Sequence, residues 1–342
     1  KINLFNINNY KVSNTFKNNL ENKLDLFFDT VFSRYEFIKK DRKIYIKSKI
    51  KEIFFKSAKK YIGYKKFFKN FSSDNIFLST ISGWLPIRNI IAAVKSNNLE
   101  IKCFNHGLSA CYNMNPDFFT DGSLLSSSLV VSSKQYGKTY LKKFNKLETN
   151  FNIPKIEFFK YSPYKKISNE IHKVNVNQIK KILLIGYPKS PLFNLQESHN
   201  HLFSTLELEN NLINVLKKDY NIFYKAHPDR IKEVENIFDD SVNVIVGKFE
   251  NIYKDYDCAI FTYYRSTALG YALMSSMPIV LLINSLYSMD EDTYNVLCKR
   301  CAILKTSSDY EDKLKFNKQE LIKQIQESKK LKNDITWSKF ID

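Results

Sequence analysis

The chain has 342 residues and eight glycines, no two closer than 15 positions, so neither G-x-G-x-x-G, nor G-x-x-x-x-G-K-[ST], nor G-x-S-x-G can be written in it. Its 44% hydrophobic residues suffice for one large domain or two ordinary ones, while the longest apolar run, residues 277–283, falls far short of the ~20 that a membrane-spanning helix needs. The net charge of +18 is regional: residues 39–69 hold 13 Lys or Arg against Asp41 and Glu52, a surplus of 11 that leaves +7 for the rest of the chain.

Residues 1–74 read as a basic, mainly helical N-terminal segment, because the cations of 39–69 alternate with Ile44, Tyr45, Ile53, Phe54, Tyr61 and Phe68. Three uses of such a segment compete: a solvated face of core-packed helices, an attachment surface for anionic membrane, or nucleic-acid binding. The last needs a recognised module, and none is written here, so no nucleic-acid partner is expected. Beyond residue 74, short β-rich runs alternate with helix-like ones, the pattern of parallel sheets with crossover helices. A first α/β unit over 75–172 is predicted from strands at 75–80, 99–104, 128–132 and 156–159 and helices at 85–96 and 134–144. Residues 161–180 are polar and aperiodic and read as a linker. A second unit over 173–316 is predicted from strands at 181–185, 221–225, 242–246, 258–262 and 278–283, with helices at 206–218, 249–256 and 266–275. The last segment, 317–342, opens with a Lys- and Glu-rich helix at 317–331.

Five cysteines, Cys103, Cys111, Cys258, Cys298 and Cys301, are an odd number, and Cys103 and Cys258 lie inside strand-like runs. This usage fits a reduced compartment and predicts a cytoplasmic protein. Cys298 and Cys301 form a C-x-x-C with no second pair and no neighbouring His, which reads as a helix end.

In open parallel sheets, ligands bind beyond the carboxyl ends of strands, and two α/β units joined by a linker create a cleft. The residues with chemistry follow predicted strands: Asn105-His106-Gly107, Gly186-Tyr187, Lys225-Ala226-His227-Pro228 and Tyr263-Tyr264-Arg265-Ser266-Thr267. Ser266 and Thr267 open a helix, so free N–H groups, two hydroxyls and the Arg265 guanidinium offer donors to a phosphate, against the alternative of a plain helix cap, which accounts for one hydroxyl but not for the adjoining Arg. Lys225 and His227, stiffened by Pro228, suit a second grip on a nucleotide, against the alternative of a structural histidine at a strand end. His106 is placed to act as a general base; Asp121, in Thr120-Asp121-Gly122, is the rival, against an ordinary Asp-Gly turn. Asp255-Tyr256-Asp257 and Asp290-Glu291-Asp292 fit D-x-D, and His199-Asn200-His201 pairs two imidazoles, but none has the context of a metal site. No metal is expected.

At these residues the sequence resembles GT-B glycosyltransferases. Lys225-Ala226-His227-Pro228 is similar to the K-x-H-P element of bacterial sialyl- and polysialyltransferases, capsule Kdo transferases and CDP-glycerol glycerophosphotransferases. Ser266-Thr267, continuing through Ala268-Leu269-Gly270 to Met277-Pro278-Ile279-Val280, is similar to their Ser-Ser or Ser-Thr element. The resemblance covers residues 75–315 and is strongest over 181–283. It implies two Rossmann-like domains facing across a cleft, with 75–172 on the acceptor side and 173–316 on the nucleotide side. It further implies that His227 and Ser266-Thr267 hold the phosphate of CMP or CDP, and that the base is His106 or Asp121. The acidic residue those families carry in the helix after Ser-Thr is absent, Gly270-Tyr271-Ala272 standing there.

The expected function is therefore metal-independent transfer of a sugar, an ulosonic acid such as sialic acid or Kdo, from a CMP donor to a surface-glycan or glycolipid acceptor, without a cofactor. Transfer of a polyol phosphate from a CDP-glycerol or CDP-ribitol donor is the alternative. From another class stands a non-catalytic, basic glycan-assembly or nucleic-acid-binding protein. The segment 39–69 is expected to dock the enzyme at the inner face of the bacterial cytoplasmic membrane.

Overall fold

A computed structural model describes residues 11–35, 37–71, 75–78, 85–104, 125–131, 134–145, 153–158, 178–186, 202–234, 237–238, 242–264, 266–284, 291–309 and 313–331. The chain divides into two compact units, the first made of residues 1–104, 119–130 and 150–156 and the second of the remainder.

The first unit opens with a helical hairpin. Helix α1 (Asn14–Ser33) is capped by Ser13, whose hydroxyl accepts the Phe16 N–H at 3.2 Å, and buries Leu24 and Phe28 against α2 (Lys40–Lys69). The two run antiparallel, with Lys47 and Lys51 reaching Asp25 at 2.7 and 2.8 Å and Lys51 reaching Glu21 at 3.5 Å. These pairs face water and add little to stability; the apolar seam holds the hairpin. The second half of α2 has another role. Ser57, Ala58, Gly63, Tyr64 and Phe68 are buried, and helix α3 (Leu85–Lys95) packs there, with the Ser57 hydroxyl donating to Asn89 Oδ1 at 2.7 Å. Over 39–69, the turns before Ser57 bury no residue, whereas from Ser57 onward one face of α2 contributes to the core while Lys59, Lys65, Lys66 and Lys69 stay exposed on the other.

Strands β1 (Asn75–Leu78), β2 (Glu100–Phe104), β3 (Ser128–Val131) and β4 (Lys155–Phe158) form a sheet in that order, with helix α4 (Lys134–Phe144) following β3 in the chain. The β1/β2 and β2/β3 pairs are parallel, with Ile76 opposite Ile101 and Cys103 opposite Leu129.

The second unit alternates β5 (Lys181–Ile185), α5 (Leu202–Leu216), β6 (Asn221–Lys225), α6 (Ile231–Val234), β7 (Asn243–Ile245), α7 (Phe249–Ile252), β8 (Cys258–Phe261), α8 (Thr267–Met274), β9 (Ile279–Asn284), α9 (Glu291–Arg300), β10 (Ala302–Ser308), β11 (Leu314–Lys315) and α10 (Lys318–Ser328). The strand order is β11-β10-β9-β8-β5-β6-β7, parallel throughout except for the β10/β11 pair. Side chains alternate between the two faces. Ile182, Leu184, Ile222, Cys258 and Ile260 join Leu208, Leu212, Leu321 and Ile325 of α5 and α10 in one core. Phe223 and Phe261 turn the other way, to Tyr256 and to Phe249 of α7. With both faces covered, the central strands are written as unbroken apolar runs. Both units are thus parallel-sheet α/β structures, in agreement with the expected fold class.

Helix α8 is held at its far end by Arg300, a fully buried side chain from the last turn of α9. Its guanidinium donates to the carbonyls of Leu273, Ala272, Ser275 and Met277 at 3.1, 3.1, 2.7 and 2.8 Å. The C-x-x-C falls at this helix end, as read. Burial pushes the Cys301 and Cys258 thiols up to about 12, leaving them protonated and inert. Among the described residues no helix is long and apolar enough to cross a membrane.

Candidate functional site

Strand β5 lies between β6 and β8, and its last residue, Ile185, pairs with Lys225 on one side and Phe261 on the other. Three strand ends therefore finish at one level, the outer two about 10 Å apart at the usual strand spacing. The chain leaves β5 for α5 on one face and leaves β8 for α8, which packs with α7 on the other face. This divergence is a topological switch point, where an open α/β sheet leaves a crevice for a ligand. Gly186, Lys225 to Pro228, Thr262 to Tyr264, and Ser266 and Thr267 border it.

On the α5 face the strand ends are tied by a buried polar network. The Tyr224 hydroxyl donates to Glu209 Oε2 at 2.7 Å, Arg230 Nη1 reaches the same oxygen at 3.3 Å, and Thr262 Oγ1 lies 3.4 Å from Oε1 and 3.2 Å from the Ile185 carbonyl. Glu209 and Arg230 are both withdrawn from water, so the carboxylate is sustained by its ion pair and hydroxyl donors together. Gly186 completes the arrangement. Its N–H donates to the Lys225 carbonyl at 3.2 Å, and a Cβ there would collide with the Tyr224 hydroxyl and its ring carbon Cζ. Sequence reasoning did not find this network. Its one sequence signal is Glu209 in an apolar position of α5, four residues before Ile213 and one after Leu208.

Lys225 points to the opposite face. Burial pushes its ammonium below the ordinary lysine value, with the charge of Glu250 acting against that shift. Among the described residues the ammonium makes no hydrogen bond or ion pair. Glu250, on α7, also acts on Tyr271 of α8, whose phenol is raised first by burial and then by that carboxylate. An acidic group is thus present beside α8 although none is written in it.

His227 is half-buried and its carbonyl accepts the Arg230 N–H at 2.8 Å, so the Lys225-to-Pro228 element turns directly into a short 3-10 helix, Pro228–Arg230. Pro228 is exposed. Ser266 is the N-cap of α8, its Oγ accepting the Ala268 N–H at 3.2 Å. Capping uses a lone pair of that oxygen and leaves the hydroxyl hydrogen as a donor. Thr267 is exposed in the first turn, where backbone N–H groups lack helical partners.

Arg265 lies outside the described residues, and so do His106, Asp121, His199, His201 and Asp290. Asp257 of the D-x-D pattern is structural: its Oδ2 accepts the N–H groups of Lys180 and Lys181, both at 2.8 Å, at the start of β5 and the end of the sheet opposite the crevice. Among the described residues no three His, Cys, Asp or Glu side chains cluster as metal ligands.

No protein-family model matches the sequence. No curated protein matches it either. Solved structures similar in fold include the "putative UDP-N-acetylglucosamine 2-epimerase" from Listeria monocytogenes, at 13% identity over 81% of this chain and 74% of that one, with a TM-score of 0.43. S. aureus MnaA, in a co-structure with UDP, is similar at 13% identity over 83% of this chain and 72% of that one, with a TM-score of 0.46.

Proposed function

We propose that the second unit binds the nucleotide of an activated sugar and that the chain is a metal-independent glycosyltransferase using a CMP-linked ulosonic acid. The observation that supports this reading is the convergence, at the switch point, of Lys225, His227 and the Ser266-capped start of α8 on strand ends held in register by the Glu209 network. These are cationic and N–H or O–H donors without a glycine-rich loop, which suits a single phosphate better than a wrapped diphosphate.

In the reaction, His106 or Asp121 takes the proton of an acceptor hydroxyl as its oxygen attacks the anomeric carbon of the donor. The bond from that carbon to the phosphate oxygen breaks, and CMP leaves with the bonding pair. Lys225, His227, Arg265 and the dipole of α8 stabilise the charge arriving on the phosphate.

Calorimetric titration with CMP, CDP and UDP tests the site. CMP binds, and His227→Ala weakens it by about tenfold or more, as expected for a lost charge-assisted hydrogen bond. Affinity for none of the three would overturn the reading, and a preference for UDP would move it to UDP-sugars. Release of nucleotide from CMP-sialic acid, CMP-Kdo or CDP-glycerol then identifies the donor, CDP-glycerol turnover pointing to polyol-phosphate transfer instead.

A further inference from the structure

The described residues leave one conspicuous surface outside the crevice, the tip of the α1/α2 hairpin. No residue of α2 between Lys40 and Lys56 is buried, so the turn stands about 25 Å along the helix axis from the packing that begins at Ser57. The cations are not equal. Lys47 and Lys51 are matched by Asp25, Asp29 and Glu21, and Lys49 and Lys56 by Glu52. Arg34, Lys39, Lys40 and Arg42, all at the turn, make no ion pair among the described residues. Only Glu36 and Asp41 oppose them in the sequence between Arg34 and Lys51.

The same tip displays large apolar side chains: Phe37 is 82% exposed, Tyr45 64% and Ile44 61%, and about two turns back along α1 stands Leu26, 70% exposed. Tyr35 sits edge-on to Phe37 at 5.8 Å. Apolar side chains beside unmatched cations complement one kind of partner, an anionic surface with hydrocarbon behind it. A nucleic-acid backbone satisfies the cations but gives Leu26 and Ile44 nothing to enter. A second copy of the tip repels the first.

We propose that the hairpin tip, residues 34, 35 and 37–45, inserts into the headgroup region of an anionic bilayer, with Leu26 and Phe27 following it on the α1 side. This places the membrane contact at the turn instead of along the whole of 39–69, and it does not depend on the nucleotide reading. Co-sedimentation of the full chain with phosphatidylcholine vesicles, with and without phosphatidylglycerol, tests it. Binding requires the anionic lipid and weakens as salt rises. Replacing Lys39, Lys40 and Arg42 together by Gln lowers partitioning about a hundredfold, and Phe37→Ser lowers it about tenfold. Both variants keep the wild-type circular dichroism and nucleotide titration, since neither changes the core or the crevice. Partitioning indifferent to phosphatidylglycerol and salt, or unchanged in both variants, overturns the proposal. So does binding of the tip to an oligonucleotide in preference to the vesicles.

Discussion

Gly186 and Tyr224 can be neighbours because one of them has no side chain. The tyrosine hydroxyl must reach Glu209, and the β5 backbone must pass beside it to pair with Lys225. Gly186→Ala therefore drives a methyl group into a fixed phenol, and overpacking of this kind costs about 1–3 kcal/mol. A lowered urea midpoint at unchanged slope is expected. Tyr224→Phe does not rescue it, because the ring carbon is in the way as well as the oxygen; an unshifted midpoint in Gly186→Ala would refute this account of the strand end. Lys225 gives a pH signature. The free side chain titrates near 10.5, and burial lowers that value in the fold. Between the two values the unfolded chain holds a proton that the folded chain has released, so the stability of the unliganded protein rises with pH across that window. Below it, the penalty for the buried charge is constant. A bound phosphate favours the charged form, so CMP affinity is expected to fall as pH rises through the lowered value. Lys225→Arg, which stays charged, is expected to lose that fall; an unchanged alkaline profile in calorimetry would count against Lys225 as a phosphate ligand.

At the level of elements, α8 is short, and both of its ends are secured by side chains: Ser266 at the start and Arg300 at the finish. One guanidinium serves four carbonyls around the α8 end, a fan that an ammonium with three donors on a flexible stem cannot reproduce. Arg300→Lys is expected to destabilise the second unit by about 2 kcal/mol or more, with buried carbonyls left unsatisfied. Thermal unfolding at the wild-type temperature would show that Arg300 is dispensable. The elements that position the site were legible for a physical reason: β5, β8 and β9 are covered on both faces and so are written as apolar runs. Strand β10 lies towards the sheet's outer side with Lys305 and Ser307 exposed, and neither it nor α9 declared itself by pattern. The helix read over 249–256 ends at Ile252 and tightens into a 3-10 turn over Tyr253–Asp255. Ser266 could be placed because it follows such a strand, and Lys225 and His227 because they lie at and just beyond the end of β6, which was also read from the sequence. The Glu209, Arg230 and Thr262 cluster could not, since its members are 21 and 53 positions apart and meet through the register of three elements.

Across the whole molecule, local sequence pattern was a good guide to which segments fold and a poor one to which neighbours they take. Charge shows the same limit: residues 39–69 are uniformly basic, yet the fold leaves the first half of α2 without a buried residue and packs one face of the second half into a core. Strand order carries a consequence for how the chain is made. In its sheet, β5 is the earliest of the described strands and becomes a central one, and its second partner begins far downstream, the Lys181 N–H waiting for a carboxylate 76 residues further on. At about 5–20 residues per second, ribosomal synthesis takes roughly 4–15 s to deliver it. For that interval one edge of β5 is open hydrophobic backbone, the condition under which nascent chains mispair or recruit holdases. The crevice straddles this strand, so the proposed nucleotide site is complete only once β8 docks, and a ligand bound there would favour completion of the sheet without initiating it.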